Sequence, residues 1–368
     1  MKHRAKRLVV KVGTNTLTGG EERLSRPQMM GVARQVAKLV REGHQVALVS
    51  SGAIVAGREA LQIARNGKDI PFKQVLAAVG QAKLMQKWDA LFTSEDIIIA
   101  QTLLTRGDLA ERQGYLNARN TLLALLERDV VPIINENDVV ATEEIKIGDN
   151  DNLSALVANL IDADLLILLT DQAGLFTADP RRNAAATLIA EVPVISDEIM
   201  ALAAGAGTVR GTGGMVTKVQ AARLAMESGV TVLVAGGTTE NVLLRAATGE
   251  AVGTKFPACR SRLESRKRWI LSGLAGKAAA HIDDGAAVAL KRGRSLLPAG
   301  IVNVKGPFDR GDSVNIVGPE GKAVACGVAN YSASDLDRIK GRRSGEITQI
   351  LGYHFGDEVI HRNNVVML

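Results

Sequence analysis

Cysteine is nearly absent: Cys259 and Cys326 are the only two in 368 residues, far apart and with no CxxC pair. That excludes a disulfide framework and a cysteine zinc site, and it suits a reducing, cytoplasmic setting. The five histidines are scattered, with no metal-ligand spacing, so no metal ligand is assigned. Long apolar runs are missing too. Leu165–Leu169, the greasiest segment, follows Asp162 and Asp164, and no run of about 18 apolar residues exists to span a membrane. The N-terminus MKHRAKRLVV is basic and leads into a strand pattern of only three apolar residues before Lys11. It lacks the apolar region and small-residue cleavage site of an export signal.

What is present is ordinary soluble composition, 46% hydrophobic and 23% charged, over a length that argues for two domains. Charge is unevenly spread. Residues 1–259 hold 28 Lys+Arg and 28 Asp+Glu, whereas residues 260–368 hold 17 and 11. The whole excess of +6 therefore sits in the tail, as expected of two domains with different partners.

Most of the chemistry lies in Val130–Ala155, VVPIINENDVVATEEIKIGDNDNLSA. The apolar run Val130–Ile134 has the length of a buried strand. It turns abruptly polar at Asn135, Glu136, Asn137 and Asp138. Gly148-Asp149-Asn150-Asp151-Asn152 follows, and a helical pattern starts at Leu153. In open α/β sheets such strand ends are where ligands bind. Asn and Asp also suit turns and N-caps, but a cap needs one such residue, and here seven of them and Glu136 fall in two clusters.

The other segments repeat one rhythm. Lys6–Val12 is a strand ending in Lys11-Val12-Gly13-Thr14, where a Lys and a Gly can face a phosphate, although surface lysines before turns are as common. Arg26–Glu42 is an amphipathic helix with Met30, Ala33, Val36, Ala37 and Val40 on one stripe and Gly43 as its stop. Gln45–Val49 is a strand ending in Ser50-Ser51-Gly52-Ala53, a turn whose N–H groups suit an anion. It is not GxSxG, so no nucleophile elbow is indicated. Residues 74–92 are helical, Ile97–Ala100 is a short strand and Tyr115–Glu127 is a helix. Leu165–Leu169 is the central strand, because central parallel strands are apolar on both faces. It ends in Thr170-Asp171. Val230–Val234 is a further strand. Between these last two lies Arg210-Gly211-Thr212-Gly213-Gly214-Met215-Val216-Thr217-Lys218, followed by a helical pattern. Glycine backbone, a helix start and a Lys together make a phosphate cradle, though not with P-loop or GxGxxG spacing. This rhythm of strand, polar turn and helix predicts a doubly wound, mostly parallel α/β domain ending near residue 256.

After the basic stretch SRLESRKR come short segments rich in glycine, from Ala287 to Ser332, expected to be sheet or small barrel and not helix. A basic tail also fits nucleic acid. Its aromatics, Trp269, Phe308, Tyr331, Tyr353 and Phe355, form no obvious stacking array in sequence.

Taken together, VVKVGTNTL, SSGAI, VPIINENDVV, GDNDNLSA, LLTDQAGLFTADPR and GTGGMVTK closely resemble the motifs of the bacterial glutamate 5-kinase family, amino-acid kinases with a C-terminal PUA domain. GRSLLPAGIVNVKGPFDRGDSV resembles the PUA module. The resemblance covers essentially the whole chain. It implies an amino-acid kinase domain at 1–258, a basic linker at 259–275 and a mostly β PUA barrel at 276–368. It further implies transfer of the γ-phosphoryl group of ATP, with magnesium, to the side-chain carboxylate of L-glutamate, the first step of proline biosynthesis. By the same resemblance Lys11 contacts nucleotide phosphates, Ser51, Asp138 and Asn150 hold glutamate, Thr170 and Asp171 line the nucleotide site, Thr212 to Lys218 form the phosphate loop, and Asp151 orients Lys11 and Lys218. Proline as feedback inhibitor and a homo-oligomer, dimer or tetramer, are implied as well, with Ala141–Ile147, including Glu144, as the segment where that control would sit. Kinases of the same fold acting on acetylglutamate, aspartate, carbamate or UMP are the near alternatives, and an RNA-binding regulator using the basic tail is the distant one. The paired polar clusters and the PUA tail favour glutamate.

Overall fold

The structure, a computed structural model, describes residues 6–63, 69–141, 150–205, 214–259 and 274–368. The chain forms two compact units, Met1–Ala110 with Asn117–Arg262, and Glu111–Leu116 with Leu263–Leu368.

The first unit runs β1 (Arg7–Val12), α1 (Thr14–Thr18), α2 (Arg26–Arg41), β2 (Gln45–Ser50), α3 (Ala53–Leu61), α4 (Ile70–Thr93), β3 (Ile99–Leu104), α5 (Arg106–Ala110), α6 (Arg112–Leu126), β4 (Val131–Glu136), α7 (Asn150–Leu160), β5 (Leu165–Thr170), α8 (Asp197–Gly205), α9 (Met215–Glu227), β6 (Thr231–Gly236), α10 (Val242–Thr248) and β7 (Thr254–Phe256). Its sheet has the order β3-β4-β2-β1-β5-β6-β7. Every pairing is parallel except that of β6 with β7. Helices cover both faces, so β4 and β5 are buried along their whole lengths, as parallel strands must be.

Strand alternation sorts β1 into two faces. Leu8, Val10 and Val12 join Leu17, Met29, Val36 and Trp88 in one core. Val9 and Lys11 point the other way, where α7 packs on β1 and α9 on α7. The register then aligns the chemistry. Lys11 pairs with Val49 and with Leu168, Val12 with Ser50, and Thr170 with Gly236. Lys11, Ser50, Thr170 and Gly236 thus share one edge of the sheet.

Several expectations shift by a few residues. β3 continues to Leu104 and β4 to Glu136, because Leu103 pairs with Asn135 and Leu104 with Glu136 in the ladder. These polar residues end a strand instead of opening a turn. α7 starts at Asn150, three residues before the apolar pattern. On α2 the buried seam is Met29, Val32, Ala33, Val36, Ala37 and Leu39, with Met30 and Val40 only partly buried at its margin.

The second unit holds β8 (Leu274–Ile282), α11 (Asp284–Lys291), β9 (Ile301–Lys305), β10 (Ser313–Val317), β11 (Ala323–Val328), α12 (Ala333–Ile339), α13 (Ile347–Leu351) and β12 (Val365–Met367). The sheet order is β12-β11-β10-β8-β9, around a core that includes Ile282, Leu290, Phe308, Ile316 and Tyr331. One reading of the tail is corrected. Asp284–Lys291 is a helix: the Asp283 carboxylate caps it by accepting from the Ala286 N–H, and Lys291 lies in its last turn. Three of the aromatics meet, with their rings tilted and not stacked. Phe355 lies 5.8 Å from Tyr331 and 5.1 Å from Tyr353, with the Arg310 guanidinium 3.9 Å from its ring centre. The Tyr331 hydroxyl donates to the Gly356 carbonyl and accepts from the Phe355 N–H, which closes a contact across more than twenty residues. Among the described residues no helix is long and apolar enough to cross a membrane.

α3 and α4 cross backbone to backbone. A Cβ on Gly80 would sit 1.7 Å from the Ala53 carbonyl oxygen, and one on Gly57 1.9 Å from that of Leu76. Neither helix can yield without moving main chain. Gly80→Ala is therefore expected to lower stability by about 3 kcal/mol, the upper end of overpacking. Gly31→Ala on α2 meets nothing within 4 Å and is expected to raise stability by about 0.5–1 kcal/mol. Urea unfolding of both variants beside the parent checks the pair of signs.

Candidate active site

Asp151 is the centre of the sheet edge. It stands in the first turn of α7, where a carboxylate suits the helix dipole, and its side chain is fully buried. Lys11 Nζ lies 2.6 Å from Oδ1 and Lys218 Nζ 3.1 Å from Oδ2. The Thr217 hydroxyl is 2.6 Å from Oδ2 and 2.8 Å from the Gly214 carbonyl. Burial pushes the Asp151 carboxyl up, but the charges of Lys11 and Lys218, with hydrogen bonds from Lys11 and Thr217, outweigh it and hold the group well below the carboxylate range. The two cations come from β1 and α9, elements more than two hundred residues apart in sequence.

The start of α9 leaves N–H donors of the kind an anion would use. Gly214 is its N-cap and provides no side-chain cap, so the first-turn N–H groups keep their donor capacity. Met215, Val216, Thr217 and Lys218 form that first turn. Thr212 and Gly213 lie outside the described residues, as do residues 142–149 with Glu144.

Beside the triad lies an amide cluster. Asn150 Nδ2 donates to Ser51 Oγ at 3.0 Å and to Asn135 Oδ1 at 2.9 Å. Asn135 Nδ2 donates to Gln81 Oε1 at 2.9 Å. Ser50 accepts from the Trp88 indole N–H at 2.9 Å. Asp138 sits half-buried in the turn after β4, and burial pushes its carboxyl up to about 6. A partner cation would bring it back down. Thr170 and Asp171 lie on a cavity of about 510 Å³ together with Thr14–Thr16, Arg58 and Arg181.

The structure thus joins Lys11, Asp151 and Lys218 in one cluster and Ser51 with Asn150 in another, and it sets Thr170 and Asp171 on a common cavity. Sequence reasoning passed over Gln81, Trp88 and the contact of Thr217 with Asp151. Asn135 stood in a polar cluster that was noticed. Gln81 sits mid-helix in α4 with no local signal.

These motifs have known counterparts. A model of the amino acid kinase family matches residues 6–236. The chain belongs to the amino acid kinase family. A PUA domain model matches residues 279–351. The chain is 54% identical over 361 residues to a glutamate 5-kinase of Herpetosiphon aurantiacus, covering 98% of both chains. It is 51% identical to one of Dehalococcoides mccartyi, over 99% of this chain and 98% of that one, and 51% identical to one of Vibrio campbellii, over 98% and 96%. The family match therefore spans the unit that carries the buried triad.

Replacing Asp151 leaves two ammonium groups side by side with no carboxylate. Asp151→Asn is expected to cost about 3–5 kcal/mol at neutral pH, the range for breaking a buried ion pair. The folded value is depressed below the ordinary 3.8. The parent's advantage is therefore complete above that pH and lost as pH falls further. Urea midpoints of parent and variant between pH 7 and pH 3 check both size and direction.

Proposed function

We propose that the chain transfers the γ-phosphoryl group of ATP to the side-chain carboxylate of L-glutamate, giving L-glutamyl 5-phosphate, the first step of proline biosynthesis. The observation that carries this reading is the buried Lys11–Asp151–Lys218 triad beside the Ser51–Asn150–Asn135 cluster. Relatives named glutamate 5-kinase, about half identical over nearly all of the chain, support it.

The chemistry asks little of a general base. A carboxylate oxygen is already a nucleophile. It attacks Pγ, the bond from Pγ to the bridging oxygen breaks, and ADP leaves with the electron pair. What the protein must supply is alignment and relief of charge on the transferred oxygens. In this reading Lys11 and Lys218 hold the β- and γ-phosphates from two sides, and Asp151 keeps their ammonium groups in place before the nucleotide arrives. The N–H groups of the stretch Thr212 to Lys218 take phosphate oxygens. Thr170 and Asp171 hold the rest of the nucleotide. Ser51, Asp138 and Asn150 hold glutamate, with Asp138 paired to its α-ammonium group.

Magnesium fits as a counter-ion carried by the phosphates. Asp151 is closed by two lysines, and no three of His, Cys, Asp and Glu converge among the described residues, whereas a phosphate-bound magnesium needs few protein oxygens. When bound it would offset phosphate charge alongside the lysines.

Purified protein with ATP, magnesium and hydroxylamine is expected to form hydroxamate with L-glutamate and not with aspartate or N-acetylglutamate, and proline titrated into the same assay is expected to inhibit. Hydroxamate formed only with another acceptor would move the substrate; none with any acceptor would overturn the reading. Lys218→Ala is expected to lower kcat about a hundredfold or more, as loss of a transition-state contact does. Asp138→Ala is expected mainly to raise the glutamate KM. The ionised Asp138 is the form that binds an ammonium group, and its value in the free protein is about 6. Hence kcat/KM for glutamate is expected to be level above that pH and to fall as pH drops through it, a limb that Asp138→Asn should remove.

A further inference from the structure

Gln81 lies on α4, a helix that carries none of the residues given a role above. Its Oε1 accepts from Asn135 Nδ2, and Asn135 Oδ1 accepts from Asn150 Nδ2, each at 2.9 Å. The direction of this chain of amides is set at its far end. Asn150 Nδ2 is also 3.4 Å from the Ser50 carbonyl oxygen. A carbonyl only accepts, so the Asn150 nitrogen must face it. Asn135 must then turn its oxygen towards Asn150 and its nitrogen towards Gln81, and Gln81 must present its oxygen. Reversing any one amide would set like groups against each other at its own contacts in the row.

Two atoms are left over. Asn150 Oδ1 and Gln81 Nε2 are both buried and have no hydrogen-bond partner among the described residues. Unpaired amide atoms in a buried site are costly. Here they end a fully ordered row, one as acceptor and one as donor. Gly80 adds rigidity, because its lack of a side chain lets α4 lie against the Ala53 backbone and fixes where Gln81 starts.

We propose that Gln81 is a positioning residue for the amino-acid substrate. Through Asn135 it locks the Asn150 amide so that Oδ1, not Nδ2, is offered to the ligand, and Asn150 thereby accepts from the α-ammonium group instead of donating to a carboxylate. The site is built for an acceptor-seeking free amine, which sets it against N-acylated amino acids. The inference rests on the glutamate-kinase reading.

The test is steady-state kinetics of the full chain carrying Gln81→Met, which keeps length and packing but neither accepts nor donates a strong hydrogen bond. The glutamate KM is expected to rise about tenfold or more, the loss that follows from an unpaired buried amide, while the ATP KM and kcat stay within about twofold. Gln81→Glu keeps an oxygen for Asn135 and is expected to recover most of the glutamate KM. Asn135→Ala is expected to match Gln81→Met, and the double variant to be no worse than Asn135→Ala alone, because the two act in series. A glutamate KM within about twofold of the parent in Gln81→Met, or effects that multiply in the double variant, would overturn the proposal. Should Gln81→Met fail to fold by circular dichroism, Gln81→Ala makes the same comparison. No glutamate turnover by the parent chain would instead be a failure of the kinase reading.

Discussion

A single buried carboxylate holds the polar edge of the sheet together. Asp151 is fully enclosed, and a lone charge there would be prohibitively costly. It is tolerated because Lys11 from β1 and Lys218 from α9 each reach one of its oxygens. Each lysine is in turn tolerated in the interior because of Asp151. The three groups are mutually dependent, so β1, α7 and α9 are tied to one another at the point where phosphate would arrive. Such a pair is poor evidence of stability gained, since well-packed apolar groups serve as well. In the proposed reaction it has a chemical use: two ammonium groups held in place before a polyanion arrives.

The sheet delivers those groups through register. Parallel strands all present their C-terminal ends to one edge, and side chains alternate between faces. Lys11 therefore points to the face covered by α7, while its neighbours Val10 and Val12 close the opposite core. The amide row runs alongside, from the end of β4 to α4. Its members donate in one direction, and that polarity comes from one backbone carbonyl, that of Ser50.

Much of the first unit was legible as periodicity. Strands such as Leu165–Leu169 declare themselves because both faces are apolar, and the polar clusters at strand ends declare a ligand edge. The motifs quoted above pointed to the family at once. The boundaries were less legible. Asn135 and Glu136 look like turn residues, but a neighbouring strand offers their backbone a ladder, and tertiary pairing overrides local preference. The helix Asp284–Lys291 was hidden because it is short and runs into a glycine-rich stretch that reads as sheet, although its alanines favour a helix and Asp283 caps it.

By itself, then, the sequence determined most strands and helices of the first unit, which residues are polar where polarity is costly, and which family the chain belongs to. Those properties depend on local periodicity and on residue identity. The resemblance had already set Asp151 with Lys11 and Lys218; tertiary structure alone decided that Gln81 reaches Asn135, that Thr217 joins Asp151, and that Tyr331 meets Phe355. Each of these contacts joins residues distant along the chain, and each depends on the direction in which a side chain leaves its element. That direction is set by packing and register, which no stretch of sequence records on its own.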